Sequence, residues 1–219
     1  MTAHPPYYEK LLNAFVWGAT RTPYTLEETL DEAKSQSMNV DKFKRRAILP
    51  RVTKVMDMVR VMDPAPINVM DIGCGRGTAM WPMMEAFPGM KFTGVDLYEG
   101  RSVDLRRLRD AGVSSIVEGY HRGAESLKDI PPKAYDVALM LEVLEHLETD
   151  KGVEQAAKEA VRVTRSSILV SVPSVKDWNP DHKRLFTAGA LKNLWLRAGA
   201  RKVEIEEVPK HFVARITLG

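Results

Sequence analysis

A short glycine-rich segment, Ile67 to Met80, constrains the fold of this chain more than any other stretch. It opens with the mostly apolar run from Ile67 to Asp71, which predicts a strand that is buried on both faces and ends in a carboxylate. Three alternate glycines follow, and such residues allow positive φ angles and a close approach of a ligand to the backbone. They are Gly73, Gly75 and Gly77. Thr78 is then placed to cap a helix. The segment predicts a strand, a turn and a helix that together form a ligand-binding seat.

The spacing of the turn favours one kind of ligand. Dinucleotide-binding folds use G-x-G-x-x-G and hold a pyrophosphate at the helix N-terminus, whereas this turn has G-x-G-x-G and follows Asp71. A carboxylate beside the turn favours a cation over a phosphate. A second predicted strand, Lys91 to Asp96, ends in another acid at the position of a ribose-binding acid in dinucleotide folds. The structural alternatives are a tight turn without a ligand and a simple helix cap at Asp96.

The segment D-x-G-x-G-x-G, from Asp71 to Gly77, resembles the first motif of the class I S-adenosylmethionine (SAM) dependent methyltransferases. The resemblance implies that the turn receives the amino-acid end of SAM and that Asp96 accepts from its ribose hydroxyls. It also implies an adenine-contacting loop in GAESLKDIPP, although Tyr120 is another candidate for the position after the third strand. The implied cofactor-binding residues are Asp71, Gly73, Cys74, Gly75, Gly77, Asp96, Leu97, Ala124 and Glu125.

Strand and helix patterns alternate along the rest of the chain. Strands at Tyr135 to Leu141 and Ser167 to Val172, with a helix at Asp150 to Val163 between them, predict a mostly parallel sheet with helices on both faces. Two final strands, 203–208 and 212–218, are joined by so short a turn that they must be antiparallel. The expected fold is α/β, a Rossmann-like doubly wound seven-stranded sheet, mostly parallel with an antiparallel C-terminal strand, as in the family that the first motif resembles.

Residues 1–65 are expected to form an N-terminal helical extension in front of a methyltransferase domain at residues 66–219. Apolar residues after Pro50 recur at helical spacing and predict a stripe that packs on the sheet. They are Val52, Val55, Met56, Val59 and Met62. Aromatic and basic residues nearer the N-terminus resemble a lid that closes over SAM in this superfamily. They are Tyr7, Tyr8, Phe15, Trp17, Arg21 and Tyr24.

The segment after the fourth strand, Leu141 to Leu147, supplies candidate catalytic residues. If it is helical, Glu142, Glu145 and His146 share one face. Carboxylate and imidazole groups suit a divalent Mg, Mn, Fe or Zn ion, and His182 is a candidate fourth ligand from the loop after the fifth strand. The two glutamates also fit a helix-start pair that lines the SAM site, and a metal-free base is the third interpretation.

Two families compete for the E-V-L-E-H segment. With the later D-H-K and Thr187 it resembles the metal-dependent small-RNA 2′-O-methyltransferases, but Arg184 to Phe186 stand where those enzymes carry an aromatic-acid pair. The segment also resembles the ubiquinone-biosynthesis-like small-molecule methyltransferases, in which a His before a Phe-Thr pair recurs. The favoured prediction is methyl transfer to an O or N atom of a small-molecule acceptor. Metal-assisted RNA methylation and a non-catalytic SAM-binding partner subunit are the alternatives.

The composition excludes some classes of protein. The 219 residues are 44% hydrophobic and 28% charged, as in an ordinary globular protein, and a net charge of +3 is too small to demand a nucleic-acid partner. A single cysteine, Cys74, rules out an internal disulfide and fits a reducing compartment. No apolar stretch is long enough to span a bilayer and no signal-peptide pattern is present, so the expectation is a cytoplasmic protein without a membrane partner.

Overall fold

The predicted doubly wound sheet is present in the computed structural model, which describes residues 6–43 and 47–219. Its strands are β1 (Asn68–Ile72), β2 (Lys91–Asp96), β3 (Ile116–His121), β4 (Tyr135–Leu141), β5 (Thr164–Pro173), β6 (Lys202–Val208) and β7 (His211–Thr217). Its helices are α1 (Pro6–Thr20), α2 (Leu26–Ser35), α3 (Pro50–Arg60), α4 (Met80–Ala86), α5 (Glu99–Asp110), α6 (Asp150–Val163) and α7 (Ala188–Ala198). Two short 3₁₀ turns lie at Asp41–Phe43 and Leu144–His146.

The strand order is β3-β2-β1-β4-β5-β7-β6. The pairs from β3 to β5 are all parallel, and β7 runs antiparallel to both β5 and β6. The predicted antiparallel C-terminal strand is therefore confirmed. Because the chain leaves β1 toward β2 but later returns to β1 with β4, the strand order reverses between β1 and β4. Doubly wound sheets bind ligands at the carboxyl ends of the strands at such a reversal.

Alternating side chains of the central strands enter two separate cores. Val69 of β1 packs with the helices before β3, whereas Met70 packs with α6 and α7. This alternation follows from the two-residue period of a strand. All five residues of the predicted apolar stripe on and just beyond α3 are buried, as expected for a helix that packs on the sheet. No helix in the described ranges, 6–43 and 47–219, is long and apolar enough to cross a membrane.

The N-terminal helix α1 packs along α5. Phe15 is buried in the core, and the ammonium of Lys42 lies 4.1 Å from the centre of its ring while it forms an ion pair with Asp104 of α5. Arg21 forms an ion pair with Asp110 at the end of α5. Helix α5 starts at the carboxyl end of β2, so the ion pair at the end of α5 lies far from the carboxyl ends of the strands. The first turn of α1 points toward those carboxyl ends.

The predicted lid and the boundary between residues 1–65 and 66–219 stay predictions. Residues 1–5 and 44–46 of that extension lie outside the described part of the chain. Phe15, one of the aromatic residues assigned to the lid, is 2% exposed and contacts Phe43, with 5.2 Å between the ring centres. Its aromatic surface is therefore used for packing in this structure.

The close contact between α1 and α5 predicts the effect of one substitution. A Cβ added at Gly18 would lie 2.3 Å from the carbonyl oxygen of Arg107. Gly18→Ala should therefore separate the two helices and lower the free energy of unfolding by about 2 kcal/mol, measured by urea denaturation. Gly100→Ala in α5 is the matched control, since nothing lies within 4 Å of its added Cβ. Equal stability of the two variants would contradict this account of the α1 to α5 interface.

Candidate functional site

A cavity of about 490 Å³ opens at the carboxyl ends of the strands, where their order reverses. Its lining includes Gly73, Gly75, Asp96 and Leu97 from the loops after β1 and β2. The loop after β4 contributes Glu142, Val143, His146, Leu147 and Glu148. A second cavity of about 200 Å³ shares Gly73, Gly75 and Glu142 with it. The residues predicted from the glycine motif and from the E-V-L-E-H segment therefore meet around one space.

The glycine turn has the conformation predicted for it. Gly73, Gly75 and Gly77 have φ angles of 74°, 52° and 78°, in the region that glycine adopts without strain. The backbone N–H groups of Gly73 and Cys74 both donate to the carbonyl oxygen of Val95, at 2.7 and 3.0 Å. The turn after β1 is thus tied to the end of β2.

The predicted helix cap at Thr78 is wrong. Helix α4 begins at Met80, and its N-cap residue, Ala79, has no side-chain hydrogen bond to the helix. Thr78 is exposed. The turn continues past Gly77, whose N–H donates to the carbonyl oxygen of Cys74 at 2.9 Å, and the indole of Trp81 donates to the carbonyl oxygen of Arg76 at 2.8 Å. The helix therefore begins one residue later than a cap at Thr78 would place it.

The carboxylate of Asp96 holds the loop backbone on both sides. One oxygen accepts from the N–H of Gly75 at 2.8 Å, and the other accepts from the N–H of Tyr98 at 2.8 Å. Asp96 is 8% exposed. Asp96 therefore lines the cavity, as predicted, and also caps the backbone of the loop that follows β2.

Asp71 lies at the end of β1 and lines the smaller cavity. It is 3% exposed, and burial, with a further contribution from the charge of Asp96, raises its pKa to about 7. Arg51 at the start of α3 lines the same cavity. The cavity thus offers a carboxyl group and a guanidinium to a ligand that carries both charges.

Cys74 is buried in the turn. Burial is the main cause that raises the pKa of its thiol well above the ordinary value. The thiolate is disfavoured there, so Cys74 is unsuited to act as a nucleophile.

The loop after β4 differs from the predicted helix. Glu142 has a φ angle of 58°, and only residues Leu144–His146 form a 3₁₀ turn. One oxygen of Glu142 accepts from the hydroxyl of Ser171 at 2.7 Å, and the other lies 3.0 Å from Nε2 of His211. Arg51 Nε is 3.7 Å from the same carboxylate. The prediction that Glu142 shares one face with Glu145 and His146 is therefore wrong, because the backbone turns at Glu142 and directs its side chain toward β5 and β7.

Glu145, His146 and His182 do come together. One ligand atom from each lies within 4.8 Å of the others. Glu145 is completely buried, and neither carboxylate oxygen has a hydrogen-bond partner among the described residues. Burial, and secondarily the charge of Glu142, raises the pKa of Glu145 to about 8. An unpartnered buried carboxylate is costly, so the arrangement favours a bound proton or cation.

The two imidazoles are held by contacts outside the cluster. His146 Nδ1 lies 3.3 Å from the carbonyl oxygen of Asp181, and His182 Nδ1 lies 2.9 Å from a carboxylate oxygen of Asp177. The rings meet edge to face with 4.7 Å between their centres. Such contacts leave the Nε2 atoms for a ligand and resemble the outer contacts of metal-binding histidines.

Comparison with known proteins agrees with this geometry. A family model described as a methyltransferase domain matches residues 70–166. A ubiquinone biosynthesis O-methyltransferase of Idiomarina loihiensis is 34% identical over 95 residues, which cover 43% of this chain and 38% of that protein. Residues 70–166 of the chain are therefore similar to a methyltransferase domain.

Solved structures show the same fold at lower sequence identity. A SAM-dependent methyltransferase of Thermotoga maritima is 20% identical with a TM-score of 0.58, over 79% of this chain and 90% of that one. An O-methyltransferase family protein of Burkholderia thailandensis is 13% identical with a TM-score of 0.63, over 88% and 62%. The matched curated relative is longer than this chain, and the alignment spans 38% of the length of that relative.

Most residues predicted for SAM line one of the two cavities. Ala124 and Glu125 lie in the wall of the larger cavity, opposite the glycine turn. Arg51, Ser171 and His211 were not predicted, although they contact Glu142 or line the smaller cavity. Each lies on a separate element far away in the sequence and belongs to no motif. Of these three residues, only Arg51, a basic residue in the first turn of α3, could have been noticed from the sequence.

The two hydrogen bonds of Asp96 predict that it stabilises the loop before any ligand binds. Asp96→Asn retains one acceptor oxygen but places an amide N–H₂ group against a backbone N–H. We expect the free energy of unfolding to fall by about 2 kcal/mol, measured by chemical denaturation of the protein alone. The control is Glu99→Gln, an exposed carboxylate three residues further on. If Asp96→Asn matched that control in stability, the proposed loop contacts would be wrong.

Proposed function

We propose that this chain transfers the methyl group of SAM to a hydroxyl oxygen of a small molecule. The observation that carries the proposal is the pair of adjoining cavities at the strand reversal, which brings Asp71, the glycine turn and Asp96 to one surface. The ubiquinone biosynthesis O-methyltransferases that align with the chain support an O atom as the acceptor.

The amino-acid end of SAM fits the smaller cavity. Its ammonium suits the Asp71 carboxylate, and its carboxylate suits Arg51. The positive-φ glycines have no Cβ and allow this end of SAM to approach the backbone closely. Arg51 would exchange its contact with Glu142, at 3.7 Å, for the carboxylate of the ligand.

The nucleoside of SAM fits the larger cavity. Each Asp96 oxygen accepts one backbone N–H and retains lone-pair capacity, so the ribose hydroxyls can donate to it without breaking the loop. Leu97 is 68% exposed beside it and is available to cover the adenine. Ala124 and Glu125 face this space from the opposite loop, in line with contacts to the adenine ring and its amino group.

Methyl transfer requires the acceptor oxygen to lie in line with the sulfur to methyl bond, and positioning supplies much of the barrier reduction. His146, Leu147 and Lys183 line the same cavity on the side away from β2. We assign the acceptor to this side, since the cofactor contacts lie on the other.

A divalent metal ion is the finer part of the proposal. The donor set of Glu145, His146 and His182 is one carboxylate and two imidazoles, which suits transition metals that retain open positions for a substrate. The unpartnered Glu145 carboxylate supports the fit. A metal held there would lower the pKa of a bound hydroxyl acceptor. Glu142, the remaining predicted ligand, is held instead by Ser171 and His211.

Neither alternative function gains support. The Glu145, His146 and His182 cluster also suits RNA 2′-O-methylation. However, the curated relatives that align are ubiquinone biosynthesis O-methyltransferases, and Arg184 to Phe186 depart from the RNA enzymes' pattern. A SAM-binding partner subunit without catalysis predicts the same binding and no transfer.

The raised pKa of Asp71 makes SAM binding depend on pH. A cationic ligand favours the ionised carboxylate, so below its pKa of about 7 binding must release a proton. We expect the affinity for SAM to rise roughly tenfold from about pH 5.5 to about pH 7 and then to level off, as measured by calorimetry. Asp71→Asn should bind more weakly and show little of this dependence.

Activity assays with labelled SAM complete this test. Methyl transfer to hydroxyl-bearing small molecules, with none to RNA that ends in a free 3′ ribose, would support the proposal. Binding without transfer to any acceptor would instead favour the partner subunit. Absence of any heat with SAM or S-adenosylhomocysteine (SAH), together with tight binding of a nicotinamide dinucleotide, would refute the SAM site itself.

The metal assignment predicts that chelation removes turnover and spares SAM binding. Glu145→Gln and His182→Asn should each weaken the binding of Mn²⁺ or Zn²⁺ at least about tenfold, since each removes one of three protein ligands. Calorimetry with the metal alone gives that affinity. Glu148→Gln is the control, because its side chain is 77% exposed at the cavity rim and outside the cluster. Full turnover after exhaustive chelation would exclude a catalytic metal.

A further inference from the structure

The loop of residues 122–134, between β3 and β4, lies between the larger cavity and α6. Its first residues, Arg122 to Glu125, line the cavity. Leu127 and Ile130, a few residues later, are 1% and 4% exposed and pack in the core formed by α6 and α7. One end of this loop therefore faces the ligand space while its middle is fixed in the protein.

Two charged side chains of α6 bind the backbone of this loop. Glu159 accepts from the N–H of Leu127 at 2.9 Å. Arg162 donates to the carbonyl oxygens of Leu127 and Ile130, both at 2.7 Å. The two side chains also pair with each other at 2.8 and 2.9 Å. The hydrogen bonds from Arg162 are the main cause that holds the pKa of Glu159 below its ordinary value, so the pair is ionised at neutral pH.

Few residues separate these contacts from the cavity wall. Glu125 lies two positions before Leu127, and the N–H of Ser126 donates to the carbonyl oxygen of Gly123 at 3.0 Å. This tight turn transmits the position of Leu127 to Glu125. The ion pair binds main-chain atoms, so it fixes where the loop lies whatever side chains the loop carries.

We propose that Glu159 and Arg162 are positioning residues that set the selectivity of the cofactor site for adenine, by fixing Glu125 against the ring's amino group. The inference rests on the proposed use of SAM. Neither side chain contacts the cavity, and their effect on the ligand passes through the loop backbone.

The test compares SAH with S-inosylhomocysteine, in which an oxo group replaces the adenine amino group. The wild type should bind SAH more tightly than the inosine analogue. Arg162→Met retains the aliphatic stem but removes all contacts of the guanidinium, and should weaken SAH binding on the order of tenfold while leaving the inosine analogue nearly unchanged. Arg162→Lys, which retains the charge near Glu159, should restore part of the preference.

The control is Glu154→Gln on the same helix, which breaks an exposed pair with Arg197 at 3.5 Å and should change neither affinity. Glu159→Gln replaces Arg162→Met if the latter does not fold, and folding is checked by thermal melting. Equal preference for SAH in the wild type and the folded variant would overturn the inference, as would a wild type that binds both compounds equally. A wild type that binds neither would instead refute the proposed function.

Discussion

The hydrogen bonds that join the end of β2 to the glycine turn are the constraint on which the site depends. Val95 accepts two N–H groups of the turn through its carbonyl oxygen, and Asp96 accepts a third through its carboxylate. A turn of three positive-φ residues has few other contacts that could fix it. Because these hydrogen bonds come from the neighbouring strand, the parallel pairing of β1 with β2 fixes the position of the glycine turn as well as the sheet.

Packing from the opposite side completes this constraint. A Cβ at Gly73 would lie 2.4 Å from Cγ2 of Val143, so the loop after β4 lies directly on the turn. That loop can reach the turn because Glu142 adopts a positive φ angle, which is strained for a residue other than glycine. Contacts from Ser171, His211 and Arg51 hold Glu142 in this conformation and thereby leave Glu145 directed elsewhere. The strain and the separation of the two glutamates have a common origin.

The sheet, its order of elements and the conformation of the glycine turn could be predicted because each depends on a local pattern. The apolar run of β4, the helical pattern of α6 and the glycine spacing are properties of a few neighbouring residues. The geometry after β4 could not be predicted in this way. The helical interpretation of Glu142 to His146 assumed that local periodicity determines the conformation of this segment. Contacts with strands β5 and β7 instead determine the direction of the Glu142 side chain. For the same reason Arg51 and His211 escaped notice.

Two opposing effects set the pKa values of the buried carboxyl groups. Burial raises the pKa, and hydrogen bonds from N–H donors lower it. Burial raises the pKa of Asp71, which lines the smaller cavity with Arg51, and the pKa of Glu145, which lies beside two imidazoles. Hydrogen bonds from N–H donors dominate at Glu159, which lies outside the lining of the larger cavity, and they hold its pKa below the ordinary value. A cation bound beside Asp71 or Glu145 would relieve an electrostatic cost already present in the free protein, which supports the ligand sites proposed there, whereas Glu159 holds the backbone of the loop between β3 and β4.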